Sequence, residues 1–159
     1  MTSPAWSEDF LDMLHALVGA DVEFMIVGAH ALAVHGIPRS TQDLDIWINA
    51  SKENAPRVLS ALRAFGAPVG AHGIAVVDFE TPGTVYQLGL PPSRIDLLTS
   101  ISGVDFVDAQ QGCVVVEVDG MKVSFIGARE QLANKRASAR DKDLVDARLL
   151  EARLRSSSQ

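Results

Sequence analysis

Apolar residues after Ser7 recur at helical spacing: Phe10, Leu11, Leu14, Leu17 and Val18. With Ser7 as N-cap and Glu8 and Asp9 in the first turn, this pattern predicts an amphipathic helix. Val22 to Val27 is a short apolar run of strand type that ends at Gly28. Ala29 to Val34 is rich in helix formers, and His35-Gly36 followed by Pro38 stops it. From Asp43 onward the chain alternates. Leu44, Ile46 and Ile48 take one face of a predicted strand, and Asp43, Asp45 and Trp47 take the other. A helix from about Lys52 to Phe65 follows.

The middle of the chain reads as β, with strands expected at 74–79, 84–88 and 94–98. Val114 to Val118 and Lys122 to Ile126 flank Asp119-Gly120, a type I′ hairpin signal. Two helices close the chain, Ala128 to Ala139 and Asp141 to about Leu154. There is no internal repeat and no linker long enough to divide two domains. The expectation is one α/β (α+β) domain over residues 1–155, a mixed β-sheet flanked by helices, with a disordered tail at 156–159.

Composition narrows the class. The chain has 159 residues, 47% of them hydrophobic, enough for a core without disulfides or metal staples. Cys113 is the single cysteine, which fits a reducing cytosol and a small core residue better than a nucleophile. The most apolar stretch, Phe24 to Val34, is too short to span a bilayer, and Glu8, Asp9 and Asp12 stand where a signal peptide would carry positive charge. A cytoplasmic protein without membrane partners is expected. The net charge of -6 argues against a general nucleic-acid coat protein. It is also uneven: residues 1–134 hold seven Lys/Arg against sixteen Asp/Glu, and residues 135–159 hold seven against four. An acidic body with a basic C-terminal segment suits metal at one place and phosphates at another, although a solvated arginine-rich helix face would look the same.

The candidate chemistry lies in the first acidic strand. Asp43 and Asp45 project from one face of it, and adjacent carboxylates on a half-buried strand raise each other's pKa unless a cation neutralises them. Hard oxygen ligands select Mg²⁺ or Mn²⁺ over zinc. Asp96 repeats the style inside Arg94-Ile95-Asp96-Leu97-Leu98, where Arg94 or Arg39 is an available salt-bridge partner. Three carboxylates on neighbouring strands are what two-metal phosphoryl transfer needs. Gly28, between a strand and a helix, offers backbone N–H groups to a phosphate. His30 and His35 are five apart, not the four that would set two zinc ligands on one helical face, and His35 suits a helix C-terminus.

In order along the chain, Gly28, His35-Gly36, Arg39, Thr41, Asp43, Asp45 and Asp96 form a pattern that resembles the nucleotidyltransferase superfamily of DNA polymerase β type. Lys135, Arg140, Lys142, Asp143 and Asp146 look like the bacterial branch of minimal nucleotidyltransferases and AbiEii-type toxins. The likeness runs from about Val22 to Leu150. It implies the polymerase-β-type fold and transfer of a nucleoside monophosphate from an NTP to an acceptor hydroxyl, with release of pyrophosphate. By the same resemblance Asp43, Asp45 and Asp96 are the metal ligands, and Asp96 is or helps form the general base. Gly28, Ala29, Arg39, Thr41 and Lys135 are the nucleotide-binding candidates. Position 29 departs from the pattern, since many members have Ser there and Ala29 leaves backbone donors alone.

The acceptor stays open between RNA (a tRNA end), a protein hydroxyl and a small molecule such as an antibiotic. A toxin role would bring an antitoxin partner, and a homodimer could supply missing acceptor surface. The competing reading is a non-catalytic module that binds nucleotide or a partner protein; a phosphohydrolase is a weaker one, because no histidine ligands accompany the acids.

Overall fold

The computed structural model describes residues 6–40 and 43–157. Thr41 lies outside them. The first helix, α1 (Glu8–Gly19), starts where the sequence marks it, with Ser7 Oγ accepting from Phe10 N at 3.2 Å. Strand β1 (Phe24–Val27) leads directly into α2 (Gly28–Val34), and β2 (Asp43–Ile48) follows. Helix α3 (Ala55–Phe65) begins three residues later than expected, with Pro56 in its first turn. The delay has a use. Asn54 is fully buried ahead of the helix, accepting from Glu23 N and donating to Glu23 O and Asn49 O, which ties the loop after β2 to the start of β1.

Strands β3 (Val85–Leu88) and β4 (Arg94–Leu98) come next, then a short helix α4 (Phe106–Gln110) that the apolar pattern does not announce. The hairpin of β5 (Val114–Val118) and β6 (Met121–Phe125) turns on Asp119 and Gly120, both at positive φ, as the Asp-Gly signal requires. Helices α5 (Ala128–Ser138) and α6 (Asp141–Ser157) close the chain. Ser156 and Ser157 therefore belong to α6 rather than to a disordered tail.

The six strands form one mixed sheet in the order β3-β4-β2-β1-β6-β5. One expected strand is absent: residues 76–79 form a 3₁₀ turn. Asp78 explains it, since its carboxylate accepts from Ala75 N at 2.8 Å and draws the segment into a turn. Val77, 61% exposed, has no strand to pack on. Cys113 is half-buried just before the edge strand β5, where Val114 and Val115 face solvent, so it is not a core residue. Trp47 and Phe79 are core residues.

The main core fills between the sheet and α1 and α3, with Leu44, Ile46, Ile48 and Leu97 inaccessible to solvent. A smaller apolar cluster of Leu32, Ile37, Leu132, Ala147 and Leu150 joins α2 to α5 and α6. That second cluster sets the C-terminal helices against the turn at Gly28. No helix among the described residues is long and apolar enough to cross a membrane.

Candidate active site

Strand pairing brings the three acids together. β2 runs parallel to β4 with Asp43 opposite Arg94 and Asp45 opposite Asp96, while Val27 of β1 faces Asp45 from the other side. Side chains opposite one another in register share a face, so Asp43, Asp45 and Asp96 stand on one patch of sheet beside the β1–α2 turn.

At that turn Gly28 has φ +70, and a Cβ there would run into Asp45 Oδ2. The glycine thus makes room for the carboxylate. Gly28→Ala is expected to cost about 1–3 kcal/mol, from left-handed strain and from the displaced acid. A thermal melt measures that loss.

The acids are electrostatically frustrated. Burial, then the charges of Asp96 and Asp43, push the Asp45 carboxyl up to about 6, with Arg94 pulling against them. Burial also raises Asp96, opposed by Arg94 and reinforced by Asp43. Contact with Asp96 raises the Asp45 carboxyl further and lowers Asp96, so Asp45 is the member of the pair that holds a proton. Arg94 is the counter-ion: its Nη2 donates to Asp43 Oδ2 at 2.8 Å, and its Nε stands 3.3 Å from Asp96 Oδ1. The second contact is close but misaligned, leaving both of those atoms buried without a hydrogen bond.

The patch fits a hard divalent cation in donor chemistry. It offers carboxylate oxygens only, one of them orphaned at Asp96 Oδ1, and Asp45 is a carboxylate that burial and its acidic neighbours discourage from ionising. No three acids, histidines or cysteines among the described residues converge as a metal site.

A second charged cluster faces the first from α5 and α6. Asp143 and Asp146 are buried there. Lys135 Nζ lies 3.4 Å from Asp143 and 3.1 Å from Asp146, Arg140 Nε donates to Asp143 at 2.8 Å, and Arg39 pairs with Asp146. Burial lowers the Lys135 pKa, partly offset by Asp143. Arg39 and Lys135 are thus held by internal carboxylates, a partnership that sequence reasoning did not assign. It also missed Gln131, buried on α5, whose Nε2 donates to Gly28 O at 2.9 Å and ties that helix to the turn; nothing in the residue pattern signals it.

The histidines take structural places. His30 is buried against Trp6 and Phe10, its pKa lowered by burial, and His35 Nε2 donates to Ile126 O at 2.6 Å.

Between the two charged clusters lie two clefts that share Gly28, Asp45, Lys135 and Arg140. One, of about 520 Å³, adds Ala29, Arg39, Asp43 and Lys142; the other, of about 410 Å³, adds Ser100, Ile101, Ser102 and Asn134. Asp45 faces both. Asp96 lines neither and is 7% exposed.

No protein-family model matches the chain, and no curated protein matches it. A solved structure does: a Thermotoga maritima protein described as a candidate nucleotidyltransferase aligns over 93% of this chain and 94% of its own, with a TM-score of 0.52 and 17% identity. The fold is of nucleotidyltransferase type. At that identity the likeness carries architecture alone. For the chemistry, the acids on β2 and β4 and the cations facing them are the material.

Proposed function

We propose that the protein is a nucleotidyltransferase that moves a nucleoside monophosphate from an NTP to an acceptor hydroxyl and releases pyrophosphate, using Mg²⁺ or Mn²⁺. The observation that carries this reading is Asp45 at the junction of two clefts, one of them rich in cations. Asp43, Asp45 and Asp96 would hold the metal, which when bound supplies neutralisation of charge at the phosphates. The chain's own residues do the rest. Arg39, Lys135, Arg140 and Lys142 attract the triphosphate into the larger cleft, and Arg39 and Lys135 exchange Asp146 for phosphate oxygens as it enters. Gly28 and Ala29 let the phosphates approach the backbone. Asp96 is or helps form the base that takes the proton of the acceptor hydroxyl, with Asp45 opposite it in register.

The C-terminal motif, from Lys135 to Asp146, supports the toxin branch, with a neutralising antitoxin as partner and a cytoplasmic site of action. Two observations favour a non-catalytic module instead: Arg94 already pairs with Asp43 and Asp96, and Ala29 brings no hydroxyl. The two readings separate on incubation with Mg²⁺, each labelled NTP, bulk tRNA and bulk protein. Label transfer that falls on the order of 10³-fold in Asp43→Ala supports the enzyme. Nucleotide binding without transfer, unchanged in Asp96→Ala, makes the protein a binding module.

A further inference from the structure

Building on the transfer reaction proposed above, we propose that the smaller cleft is the acceptor subsite and that it takes a neutral, hydroxyl-bearing polypeptide segment. The charge distribution separates the two clefts. The larger has Arg39 and Lys142 to itself. The smaller has no cation of its own: Lys135 and Arg140 are the pair it shares, and the one acid peculiar to it, Asp143, is buried and paired with both. Its remaining wall is uncharged, with hydroxyls from Ser100, Ser102 and Ser138, the amide of Asn134, and apolar surface from Leu98 and Ile101.

That wall continues outward. Ser100 and Ile101 also line an adjoining crevice of about 360 Å³, bounded by Pro82, Asn49 and Phe106, whose single charged residue is Asp105. An RNA end would carry a phosphate at every nucleotide and gains its affinity from cations along the path. Here it would meet Lys135 and Arg140, already engaged by the triphosphate, and beyond them only an aspartate. A polycationic small molecule would meet those same two cations first. A polypeptide avoids both difficulties, because its backbone is neutral, it hydrogen-bonds to serine and asparagine side chains, and its apolar neighbours can rest on Leu98, Ile101 and Pro82.

The clefts meet at Asp45, so a Ser, Thr or Tyr hydroxyl entering from the smaller one comes up to an α-phosphate held in the larger. Its oxygen forms the new bond to the α-phosphorus, the bond from that phosphorus to the bridging oxygen breaks, and pyrophosphate leaves with the electron pair. The hydroxyl proton passes to the carboxylate pair of Asp96 and Asp45.

The test uses the whole protein with Mg²⁺, labelled NTPs and two acceptors in parallel, a Ser/Thr/Tyr peptide library and bulk tRNA. Label is expected in peptide. Ser102 is exposed at the mouth of the smaller cleft, so Ser102→Trp should fold normally and fill it. The variant should raise the peptide KM about ten-fold or more while its thermal stabilisation by a non-hydrolysable NTP with Mg²⁺ stays as in the wild type. Label in tRNA alone, label in neither acceptor, or an unchanged peptide KM in Ser102→Trp overturns the assignment. A wild-type protein that no NTP stabilises defeats the transfer reading itself, and the acceptor subsite with it.

Discussion

Replacing Asp45 by asparagine is expected to raise the melting temperature at pH 8 and to abolish transfer. Asp45 is an acid whose folded pKa, about 6, lies above the ordinary aspartate value of 3.8. The folded state therefore holds its proton more tightly than the unfolded chain does. Its penalty is absent below about pH 4, grows as pH rises, and is complete above about 6. A shift of that size corresponds to about 3 kcal/mol as a ceiling. The asparagine amide would carry no charge beside Asp96 and Asp43, and a gain of about 1–2 kcal/mol, or roughly 5 °C for a domain of this size, should follow at pH 8. At pH 4 the two proteins should melt together. Transfer should drop on the order of 10³-fold, and Mg²⁺ should stabilise the wild type more than the variant. A variant that melts lower than wild type at pH 8, or that retains activity, contradicts this account of the acidic patch.

The largest loss of stability is expected from Asp143→Ala. Burial by itself would raise this carboxyl, but hydrogen bonds from Arg140 and Ser138 and the charges of Lys135 and Arg140 bring it down to about 2. An acid with a depressed folded pKa gives its full stabilisation above the unfolded value, here above about pH 4, and loses it as pH falls toward 2. The shift is worth about 2 kcal/mol. Deleting the carboxylate does more harm than protonating it, because Lys135, only 12% exposed, keeps its charge with Asp146 as its remaining salt-bridge partner. A loss of about 3–5 kcal/mol is expected in urea unfolding at pH 7, and less at pH 3, where the wild type has already lost part of the interaction. The double replacement Asp143→Leu with Lys135→Met should recover much of the stability and none of the nucleotide binding. If it also recovers binding, Lys135 is not a phosphate ligand.

How far the sequence reached can be judged residue by residue. Ser7 and Asp119-Gly120 were legible because each acts through its own neighbours, as a cap and as a turn. The acidic strands were legible through alternation, yet alternation cannot say which strands adjoin. Only the parallel pairing of β2 and β4 sets Asp45 beside Asp96 and decides that Arg94, not Arg39, answers Asp96. Arg39 instead crosses to Asp146, 107 positions later, a partnership no local pattern encodes. The segment 74–79 misled for the opposite reason. Its valines carry strand propensity, and one carboxylate, Asp78, outweighs them by capping a turn. Thr41, expected at the nucleotide, lies outside the described residues.

The sheet order has a consequence for synthesis on the ribosome. β1, β2 and β4 can pair once the chain has been made as far as Leu98, whereas β6, which flanks β1 on its other side, and the helices bearing Lys135 and Arg140 come later. The growing chain thus exposes its three acids before its C-terminal cations exist. Arg94 emerges two positions before Asp96, so the nascent sheet carries its own counter-charge from the moment the last acid appears.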